Sequence, residues 1–467
     1  MKYNKIFKFL FIAITFLAIS CKKQLDLQPT DSFSEANAFL TLNDVQLGTN
    51  AAYGRYGAYA NDMYVSALLS DEAKLGIDNN NFGALTYRYQ FSSDATTGAD
   101  VVAAWGDYYA LIDQVNRVLP FVATVTASPS EEPRRNILKG QLLALRAIAN
   151  FDLLENYSKV YDANDPLGIP ILLKSDPLGK PARNTVGEVM TQIETDLATA
   201  KGLLPTVTVG NFSDTVMNKI NIAAYQARIA LYKRDYTSAI TYSSEVINSG
   251  VKPLVSGIDF QDIWTDDNSD ETLFRIRYAT SSAIGGLWSV SGGQILIAPS
   301  DKLVASYDPS DIRLSTFIGT VGSGDHYVNK FYTSSRGGQV VDMKACRIAE
   351  MYLIRAEAYA RSTTPNLTLG AADLNELRSN RISGYVDETF SSASDLIDAV
   401  MNERFKELCF EGFRFYDLKR NGLPVERLAS DANAAWQTLP ASSYLFVLPI
   451  PRTEMNANPN MIQNAQY

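Results

Sequence analysis

Apolar residues recur every three or four positions along most of the chain, which is the spacing of one face of an amphipathic α-helix. Residues 133–157 follow this pattern after a proline in the first turn. Residues 185–204 follow it again and begin with Thr185-Val186-Gly187-Glu188, a capping box in which the Thr and Glu side chains bind each other's backbone amides. The sequence therefore predicts a mainly α-helical protein.

Pairs of helices form a repeating unit. Ile220–Arg234 and Tyr236–Ser249 predict two helices joined by a turn at Asp235, with small residues where the helices would cross. This arrangement is typical of the tetratricopeptide repeat, a helix pair of about 34 residues. Residues 344–381 predict a second pair, and the helices within residues 133–204 could form a third with an enlarged loop. Since one repeat cannot bury its apolar face alone, we expect at least three repeats to stack into an α-superhelix.

Two segments break the helical pattern. Residues 250–343 are rich in glycine and contain Leu273–Tyr278, which alternates apolar and charged residues as a half-buried strand does. Residues 76–99 are a smaller irregular segment, in which an extended Tyr87-Arg88-Tyr89-Gln90-Phe91 would put three aromatic rings on one face. Long irregular loops on a helical scaffold often carry binding sites. We expect helical repeats at about 40–249 and 344–420, an irregular loop-rich insertion with a few short strands at about 250–343, and an extended C-terminal segment at 421–467.

The first twenty residues are typical of an export signal. A lysine-rich start precedes Phe9–Ser20, an uncharged and mostly apolar run that is too short to span a bilayer. Small residues just before Cys21 are what a lipoprotein signal peptidase requires, although Ala18 stands where leucine is usual. We predict that residues 1–20 are a lipoprotein signal peptide and that Cys21 is lipidated and anchors the mature chain. The alternative is an ordinary secreted protein in which Cys21 is incidental.

Composition excludes several classes of function. The formal net charge of −9 argues against a broad basic surface for nucleic acid. A single His excludes zinc sites that need two, and three scattered Cys form no C-x-x-C pair. We therefore expect no metal and no other cofactor. Cys346 and Cys409 are expected to be buried thiols, with a disulfide as the alternative in an exported protein.

The two ends of the chain carry a distinctive set of motifs. They are Leu25-Asp26, Pro29-Thr30-Asp31 and Gly48–Tyr53 near the start, then Asn402-Glu403-Arg404, Glu407-Leu408, Phe410-Glu411-Gly412, Arg414-Phe415, Asp417-Leu418 and Lys419-Arg420, and finally Leu445–Pro451, Glu454, Asn458-Pro459 and Tyr467. From Cys21 to Tyr467 the chain resembles the SusD/RagB family of outer-membrane nutrient-binding lipoproteins. Asn421 and Gln466 depart from the family pattern, but only locally.

The resemblance implies a fold, a partner and a cargo. The implied fold is a tetratricopeptide-like α-superhelix with an irregular ligand-binding half. The implied partner is a SusC-like TonB-dependent transporter, over whose barrel the protein would sit as a lid. The usual cargo of the family is an oligosaccharide, and some relatives are thought to serve peptides. Outward display on the outer membrane rests on the resemblance alone, because Lys22-Lys23-Gln24 lacks the acidic residues often found there in surface-exposed relatives.

Aromatic residues in the two irregular segments are the candidates for ligand binding. Trp288 is the first choice, because glycines on both sides allow close approach and a flat ring can meet the apolar face of a sugar. Tyr87, Tyr89, Tyr278 and Arg277 are the further candidates. The alternative for each aromatic ring is a place in the core.

Two groups of acidic residues have both a structural and a functional interpretation. Glu403, Glu407 and Glu411 share one helical face beside arginines, so we interpret them as an ion-pair network. They are poor candidates for a glycosidase, whose two carboxyl groups must flank the substrate. The acidic run Asp266–Glu271 is interpreted as a solvated turn, with calcium binding as the alternative.

The leading hypothesis is a non-catalytic surface lipoprotein that captures a glycan and passes it to a transporter. A surface glycan hydrolase is one alternative, and it lacks a convincing catalytic constellation in the sequence. A tetratricopeptide scaffold that binds peptides is the other alternative. The sequence does not name the cargo.

Overall fold

A computed structural model describes residues 38–467 except 160, 281, 283, 291 and 292. The predicted signal peptide and Cys21 lie outside the described residues. The helices are α1 (Leu42–Arg55), α2 (Tyr59–Leu69), α3 (Ala84–Tyr87), α4 (Ala95–Thr124), α5 (Glu132–Tyr157), α6 (Val186–Leu203), α7 (Lys219–Tyr232), α8 (Tyr236–Asn248), α9 (Gly257–Trp264), α10 (Gly285–Trp288), α11 (Asp301–Val304), α12 (Ile312–Phe317), α13 (Ile348–Arg361), α14 (Leu367–Ser379), α15 (Ala393–Glu407), α16 (Arg414–Asn421) and α17 (Arg452–Ala457). The strands are β1 (Ala73–Leu75), β2 (Thr272–Ile276), β3 (Ser289–Val290), β4 (Gln294–Ile295), β5 (Ile297–Pro299), β6 (Ile318–Thr320), β7 (His326–Val328), β8 (Thr333–Ser334), β9 (Gly337–Gly338), β10 (Met343–Arg347), β11 (Val425–Glu426) and β12 (Thr438–Leu439).

The long helices form a scaffold in which neighbouring helices pack side by side. Helix α4 packs on α5, α5 on α6, α7 on α8, α8 on α13 and α13 on α14. In the clearest predicted repeat, the Asp235 carboxylate accepts a hydrogen bond from the Ser238 amide and caps α8. Gly250 follows α8 with a left-handed φ of 65°. The fold is mainly α and tetratricopeptide-like, as the sequence predicts.

Local sequence signals define the starts of α5 and α6. The Glu188 amide donates to Thr185 Oγ1 at 3.2 Å, and the Thr185 amide donates to the Glu188 carboxylate at 2.9 Å. The predicted capping box is therefore present at the start of α6. Helix α5 begins at Glu132 and has proline in its first turn. The helices predicted at residues 133–157 and 185–204 are confirmed as α5 and α6.

The strands are short, and those within the described residues pair as six two-stranded antiparallel sheets. Strand β2 lies where the alternating segment predicts a strand, and it pairs with β10 with Met343 opposite Ile276. Residues 344–347, which the helical pattern assigns to a helix, belong to β10 instead. Pairing with β2 satisfies backbone groups that are buried along the whole of β10, and α13 begins directly afterwards.

One large hydrophobic core joins the helical scaffold to residues 250–343, and a smaller core lies among α13, α14 and α15. Cys346 and Cys409 are buried free thiols, so the two cysteines do not form a disulfide. In the part of the chain that the structure describes, no helix combines the length and the apolar character needed to cross a bilayer.

Candidate functional site

The two irregular segments of the sequence meet in space. Strand β1, which immediately precedes the first segment, pairs with β5 of the second. Beyond these strands, the Ile295 amide donates to Asp78 Oδ2 at 2.9 Å, and the Asp78 amide donates to the Ile295 carbonyl at 3.1 Å. Residues 76–99 and 250–343, which are distant in sequence, are therefore joined at this edge.

A cleft of about 400 Å³ lies between the second irregular segment and the helical scaffold, and we call it cleft A. The end of α1, the turn after it, the start of α2, the middle of α4 and helix α10 all contribute to it. Its polar groups are a guanidinium, an amide and a carboxylate, and its largest apolar side chain is a leucine. The residues that line cleft A are Arg55, Gly57, Ala58, Ala60, Asn61, Asp107 and Leu287.

Opposite charges face each other in cleft A. Partial desolvation raises the pKa of the Asp107 carboxyl, and the positive charge of Arg55 opposes that rise. Asn61 Nδ2 donates to the Asp100 carbonyl at 2.9 Å, which fixes the amide group. Both Arg55 and Asp107 are exposed, so each can exchange bound water for a ligand hydroxyl group. Sequence reasoning missed these three residues because they lie in stretches that their periodicity assigns to the helical scaffold.

Tyr278 stands at the edge of cleft A. A Cβ atom at Gly57 would be only 2.8 Å from Tyr278 Oη, so the phenol group packs directly on the cleft wall. The Tyr278 amide donates to Asp342 Oδ1 at 3.1 Å, and its carbonyl accepts from Arg336 Nη1 at 2.6 Å. Burial and then the charge of Asp342 raise the pKa of Tyr278, so the phenol stays neutral. The Tyr278 backbone is therefore held in place, and its half-buried ring lies beside the cleft.

Arg277 is the most exposed of the predicted residues. Its side chain is 63% exposed, and its Nε lies 3.8 Å from Asp342 Oδ2. Asp342 already pairs with Arg275 at 2.9 Å and with Arg336 at 2.7 Å, so it holds Arg277 only weakly. Arg277 is not among the described residues that line cleft A, but it adjoins Tyr278 in the chain.

The structure contradicts the choice of Trp288 as an exposed stacking platform. Its indole is 1% exposed and packs against Tyr64, Phe331 and Phe410, with ring centroids 5.4 to 6.5 Å apart. The flanking Gly285 serves backbone packing, because a Cβ atom there would stand 2.1 Å from a neighbouring carbonyl oxygen. Trp288 is thus a core residue, and the glycine beside it allows the protein's own backbone to approach.

Tyr87 and Tyr89 bind a side chain of the protein itself. The guanidinium carbon of Arg427 lies 3.9 Å from the centroid of the Tyr87 ring and 4.6 Å from that of Tyr89. The same guanidinium donates to the carbonyls of Leu68 at 2.6 Å and Tyr87 at 2.7 Å. The segment is not extended, since α3 ends at Tyr87 and Tyr89 has a φ of 58°. The expected three-ring platform is therefore wrong, because Arg427 occupies the two tyrosine rings.

An exposed aromatic ring of the first irregular segment was missed from the sequence. Phe82 is 40% exposed, and Ile77 in the same loop is 65% exposed. The Phe82 ring centroid lies 5.5 Å from that of Tyr64, which follows Asn61 by one turn of α2. The available signal was the run Asn79–Asn81, because asparagine tolerates positive φ and so permits a sharp turn in the chain.

The glutamates at the end of α15 form the predicted ion-pair network. Glu407 binds Arg347 at 2.9 Å, and it binds Arg313 and Arg381 at 3.0 Å each. All of these side chains are completely buried. Burial alone would raise the pKa of Glu407, but the three arginines outweigh it and hold this pKa well below its usual range. We call Glu271, Arg313, Arg347, Arg381, Glu403, Glu407 and Glu411 the Glu407 network.

The acidic run Asp266–Glu271 is only partly a solvated turn. The Asp266 side chain is 2% exposed and pairs with Lys344 at 2.6 Å. Glu271 pairs with Arg381 at 2.8 Å. The two ends of the run therefore neutralise buried cations and are not available to calcium. Across the described residues, no group of three or more His, Cys, Asp and Glu side chains is arranged to hold a metal ion.

A second and larger cavity, cleft B, has a volume of about 730 Å³ and lies between α4 and residues 170–181. Most of its lining is apolar. Cleft A is the better candidate for a polar ligand, because polar and apolar groups contribute about equally to its lining, whereas apolar groups dominate the lining of cleft B. Such an arrangement can hold a neutral molecule rich in hydroxyl groups, with the Tyr278 ring contacting an apolar face.

Comparisons with known proteins agree with this architecture. Residues 317–467 match the family model described as the SusD family, and residues 23–231 match one described as starch-binding associating with outer membrane. SusD-like protein P38 of Formosa agariphila is 23% identical over 98% of this chain and 100% of its own length. A Bacteroides thetaiotaomicron SusD superfamily structure aligns with a TM-score of 0.81 and 24% identity, covering 91% of this chain and 100% of its own. A Bacteroides vulgatus structure named for sugar binding aligns with a TM-score of 0.79 and 27% identity, covering 92% and 99%.

Proposed function

This chain belongs to the SusD family, and from that premise we propose that it is a non-catalytic lipoprotein of the outer membrane. It captures an oligosaccharide and passes it to a SusC-like TonB-dependent transporter. Cleft A, with Tyr278 at its edge, is the proposed ligand site. Arg277 and Phe82 are proposed to extend the contact surface beyond it.

The chemistry of cleft A carries the proposal. A neutral sugar has no charge to bind, so hydrogen bonds and contact with an aromatic ring must supply the affinity. Arg55 and Asn61 can donate to sugar oxygens, and Asp107 can accept from sugar hydroxyls. Tyr278 offers a ring whose backbone is fixed on both sides. Among the described residues that line the cleft, Asp107 is the only carboxylate, whereas glycoside hydrolysis ordinarily needs two carboxyl groups that flank the substrate.

Two further observations support the proposal. The family model that matches residues 23–231 is described as starch-binding and associated with the outer membrane, and one similar structure is named for sugar binding. The Glu407 network supports a binding role rather than hydrolysis, because its glutamates are buried and paired with arginines and a lysine.

A glycan and peptide array, probed with the soluble chain that starts at Lys22, tests the class of ligand. We expect binding to a set of oligosaccharides, measured afterwards by titration calorimetry, and no peptide binding that competes with them. Incubation of the same glycans with the protein should release no products over hours. Binding confined to peptides, or the appearance of shortened glycans, would contradict the proposal.

The proposed lipid anchor is tested by Cys21→Ala. Because only the lipid would hold the folded protein on the membrane, this variant should appear in the soluble fraction and should not incorporate labelled palmitate. It should keep the glycan affinity of the unaltered chain. Incorporation of palmitate into the variant would place the anchor at another residue.

A further inference from the structure

Another cavity, which we call cleft C, lies where α7, α8, α13 and α16 meet and has a volume of about 200 Å³. Three arginines line it, namely Arg234 in the turn between α7 and α8, Arg361 at the end of α13 and Arg420 near the end of α16. Two tyrosines, a leucine and Asn421 complete the lining, and no carboxylate is among the described residues that form it. Cleft C is therefore a basic cavity, and it shares no described lining residue with cleft A or cleft B.

A buried glutamate fixes two of the three guanidinium groups. Glu357 Oε1 accepts hydrogen bonds from Arg361 Nε at 2.8 Å and from Arg420 Nη1 at 2.7 Å, and Glu357 Oε2 accepts from Arg420 Nη2 at 2.7 Å. Burial alone would raise the pKa of Glu357, but the nearby arginines outweigh it and lower this pKa to about 2. Arg420 Nε also donates to Asp417 at 2.8 Å, and its guanidinium carbon lies 5.3 Å from the centroid of the Tyr232 ring. Arg361 and Arg420 are thus held at the wall of the cavity.

Several hydrogen-bond donors on the lining are not used by the protein. Arg361 Nη2 donates to Asn421 Oδ1 at 2.6 Å, and Arg361 Nη1 has no partner in the described structure. Arg234 is exposed and uses only Nη2, which donates to the Arg420 carbonyl at 3.1 Å. Its Nε and Nη1, and the hydroxyl group of the half-buried Tyr236, also have no partner among the described residues. These donors are available to a ligand.

Positive charge is in excess on the lining of cleft C. Glu357 and Asp417 are the described carboxylates that pair with its arginines, and Asp417 also pairs with Arg404 at 2.7 Å. Arg234 forms no ion pair with a described residue. The neighbouring Asp235 does not line the cavity, and its carboxylate caps α8 instead. An anionic ligand would therefore meet attraction from the lining without a facing carboxylate to repel it.

Helix capping explains part of this arrangement. Arg361 and Arg420 lie in the last turns of α13 and α16, where cations offset the partial negative charge of a helix C-terminus. Arg234 lies beyond the end of α7 and has a φ of 62°, a conformation that glycine adopts at lower cost. A long cationic side chain at such a position points to a use of the side chain itself. Arg234 is thus the residue that separates ligand binding from helix capping.

We propose that cleft C binds a sulfate or phosphate group, either as the free anion or as a substituent of a sugar. The unused donors of Arg234 and Arg361 would bind its oxygen atoms, because the planar guanidinium fork matches two oxygens of such a group. Tyr236 would add a hydroxyl donor, and Arg420 would contribute its charge. A water molecule takes up about 30 Å³ in the liquid, so a cavity of about 200 Å³ has room for an anion of this kind.

Titration calorimetry of the soluble chain starting at Lys22, with sodium sulfate and sodium phosphate at low ionic strength, tests the site. We expect saturable binding of one anion per chain. Arg234→Gly should weaken it about tenfold or more, because charge-assisted hydrogen bonds are lost. The melting temperature should change little, because glycine tolerates the positive φ. Lys233→Gln is the matched control, since it removes the same charge one residue earlier and outside the lining, and it should keep the affinity.

Three outcomes would overturn the proposal. The first is the absence of saturable binding of either anion up to about 10 mM, which is too weak for a specific site. The second is equal weakening by Arg234→Gly and Lys233→Gln, because the overall charge of the protein would then explain the binding. The third is a lower melting temperature of Arg234→Gly with unchanged anion affinity, which would assign Arg234 to helix capping. None of these outcomes depends on glycan affinity, so they are separable from a failure of the proposed function.

Two further measurements identify the source of the anion and its location. Tighter Arg234-dependent binding of glucose-6-phosphate than of inorganic phosphate would assign cleft C to a charged substituent of a sugar, and the reverse order would assign it to the free anion. Crystals soaked in selenate, a sulfate analogue with a strong anomalous signal, should show a peak between Arg234 and Arg361. Selenate peaks at other places only would overturn the proposal.

Discussion

The Glu407 network and cleft A contain the same types of residue and differ in their surroundings. In the network, Glu407 meets three arginines within 3.0 Å and no solvent reaches any of them. In cleft A, Arg55 and Asp107 are exposed and influence each other only through their charges. A charge that is fully paired inside the protein stabilises the fold, whereas a charge left at the wall of a cleft is available to a ligand.

The network also explains how cleft A keeps its shape. Glu271 and Arg313 lie in the second irregular segment, whereas Arg381 and Glu407 follow or end helices of the scaffold. Their ion pairs therefore fasten a loop-rich segment to the helices. Leu287 and Tyr278 belong to that segment, which the large hydrophobic core also holds against the helices, so the cleft does not depend on the network alone.

The largest expected effect is that of Glu407→Ala. Removing one partner of a buried ion-pair cluster leaves arginine charges uncompensated and typically costs about 3–5 kcal/mol of unfolding free energy. Denaturant unfolding should reveal this loss, while the glycan affinity of the remaining folded protein stays near normal. Glu194→Ala, which breaks an exposed ion pair with Lys233, is the control and should cost less than about 1 kcal/mol. Loss of glycan binding without loss of stability would mean that the network takes part in ligand binding.

Trp288→Ala should have an effect of similar size and of the same kind. The indole fills a space between three aromatic rings, and truncating a buried tryptophan typically costs about 3–5 kcal/mol of unfolding free energy. The melting temperature should fall clearly, and Trp288→Phe should recover part of the loss. A variant with unchanged melting temperature and weaker glycan binding would return Trp288 to the ligand site.

Variants of cleft A should show the opposite behaviour. Tyr278→Ala or Arg55→Ala should weaken glycan binding by about 2 kcal/mol, or some thirtyfold, as the truncation of an anchor residue typically does. Their melting temperatures should change little because both side chains keep access to solvent. Tyr444→Ala and Arg452→Ala, at exposed positions outside the cleft, are the matched controls. Equal affinities for all four variants would remove cleft A from the proposal.

Glu72, a buried glutamate outside the Glu407 network, provides a pH-dependent test of how burial affects an acidic side chain. It is buried, and in the described structure its Oε2 has no hydrogen-bond partner. Burial raises its pKa to about 8. A raised carboxyl pKa means that the folded state binds the proton more tightly, so stability falls as pH rises from about 4.5 to about 8. Glu72→Gln should flatten the dependence of the melting temperature on pH over this range. An identical pH dependence in the variant would contradict the assignment.

Gly57→Ala should have the smallest effect. The added methyl group would meet Tyr278 Oη at 2.8 Å and would have to move the ring by a few tenths of an ångström or more. We expect glycan affinity to fall by a factor of a few, with the fold intact. Gly54→Ala, where a Cβ atom meets nothing within 4 Å, is the control and should leave the affinity unchanged.

Regular elements of this protein follow from the sequence because their causes are local. The capping box at Thr185 and the turn at Asp235 depend on residues three or four positions away, and the structure has both. The equal spacing of Glu403, Glu407 and Glu411 predicted one shared helical face. That face holds only Glu403 and Glu407, because α15 ends at Glu407 and Phe410 has a φ of 63°. The predicted ion pairs of all three glutamates are present. The family motifs at the two ends of the chain likewise needed no coordinates.

Tertiary structure alone decided which side chains reach solvent. Trp288 and Tyr278 belong to the same irregular segment, yet the first is enclosed by rings from three separate parts of the chain and the second faces a cleft. Arg427 lies more than 300 residues after Tyr87 and still occupies its ring. Arg55, Asn61 and Asp107 look like ordinary helix residues until the helices pack. Periodicity reports which face of an element is apolar, but the burial of a loop residue depends on long-range contacts that no local pattern contains.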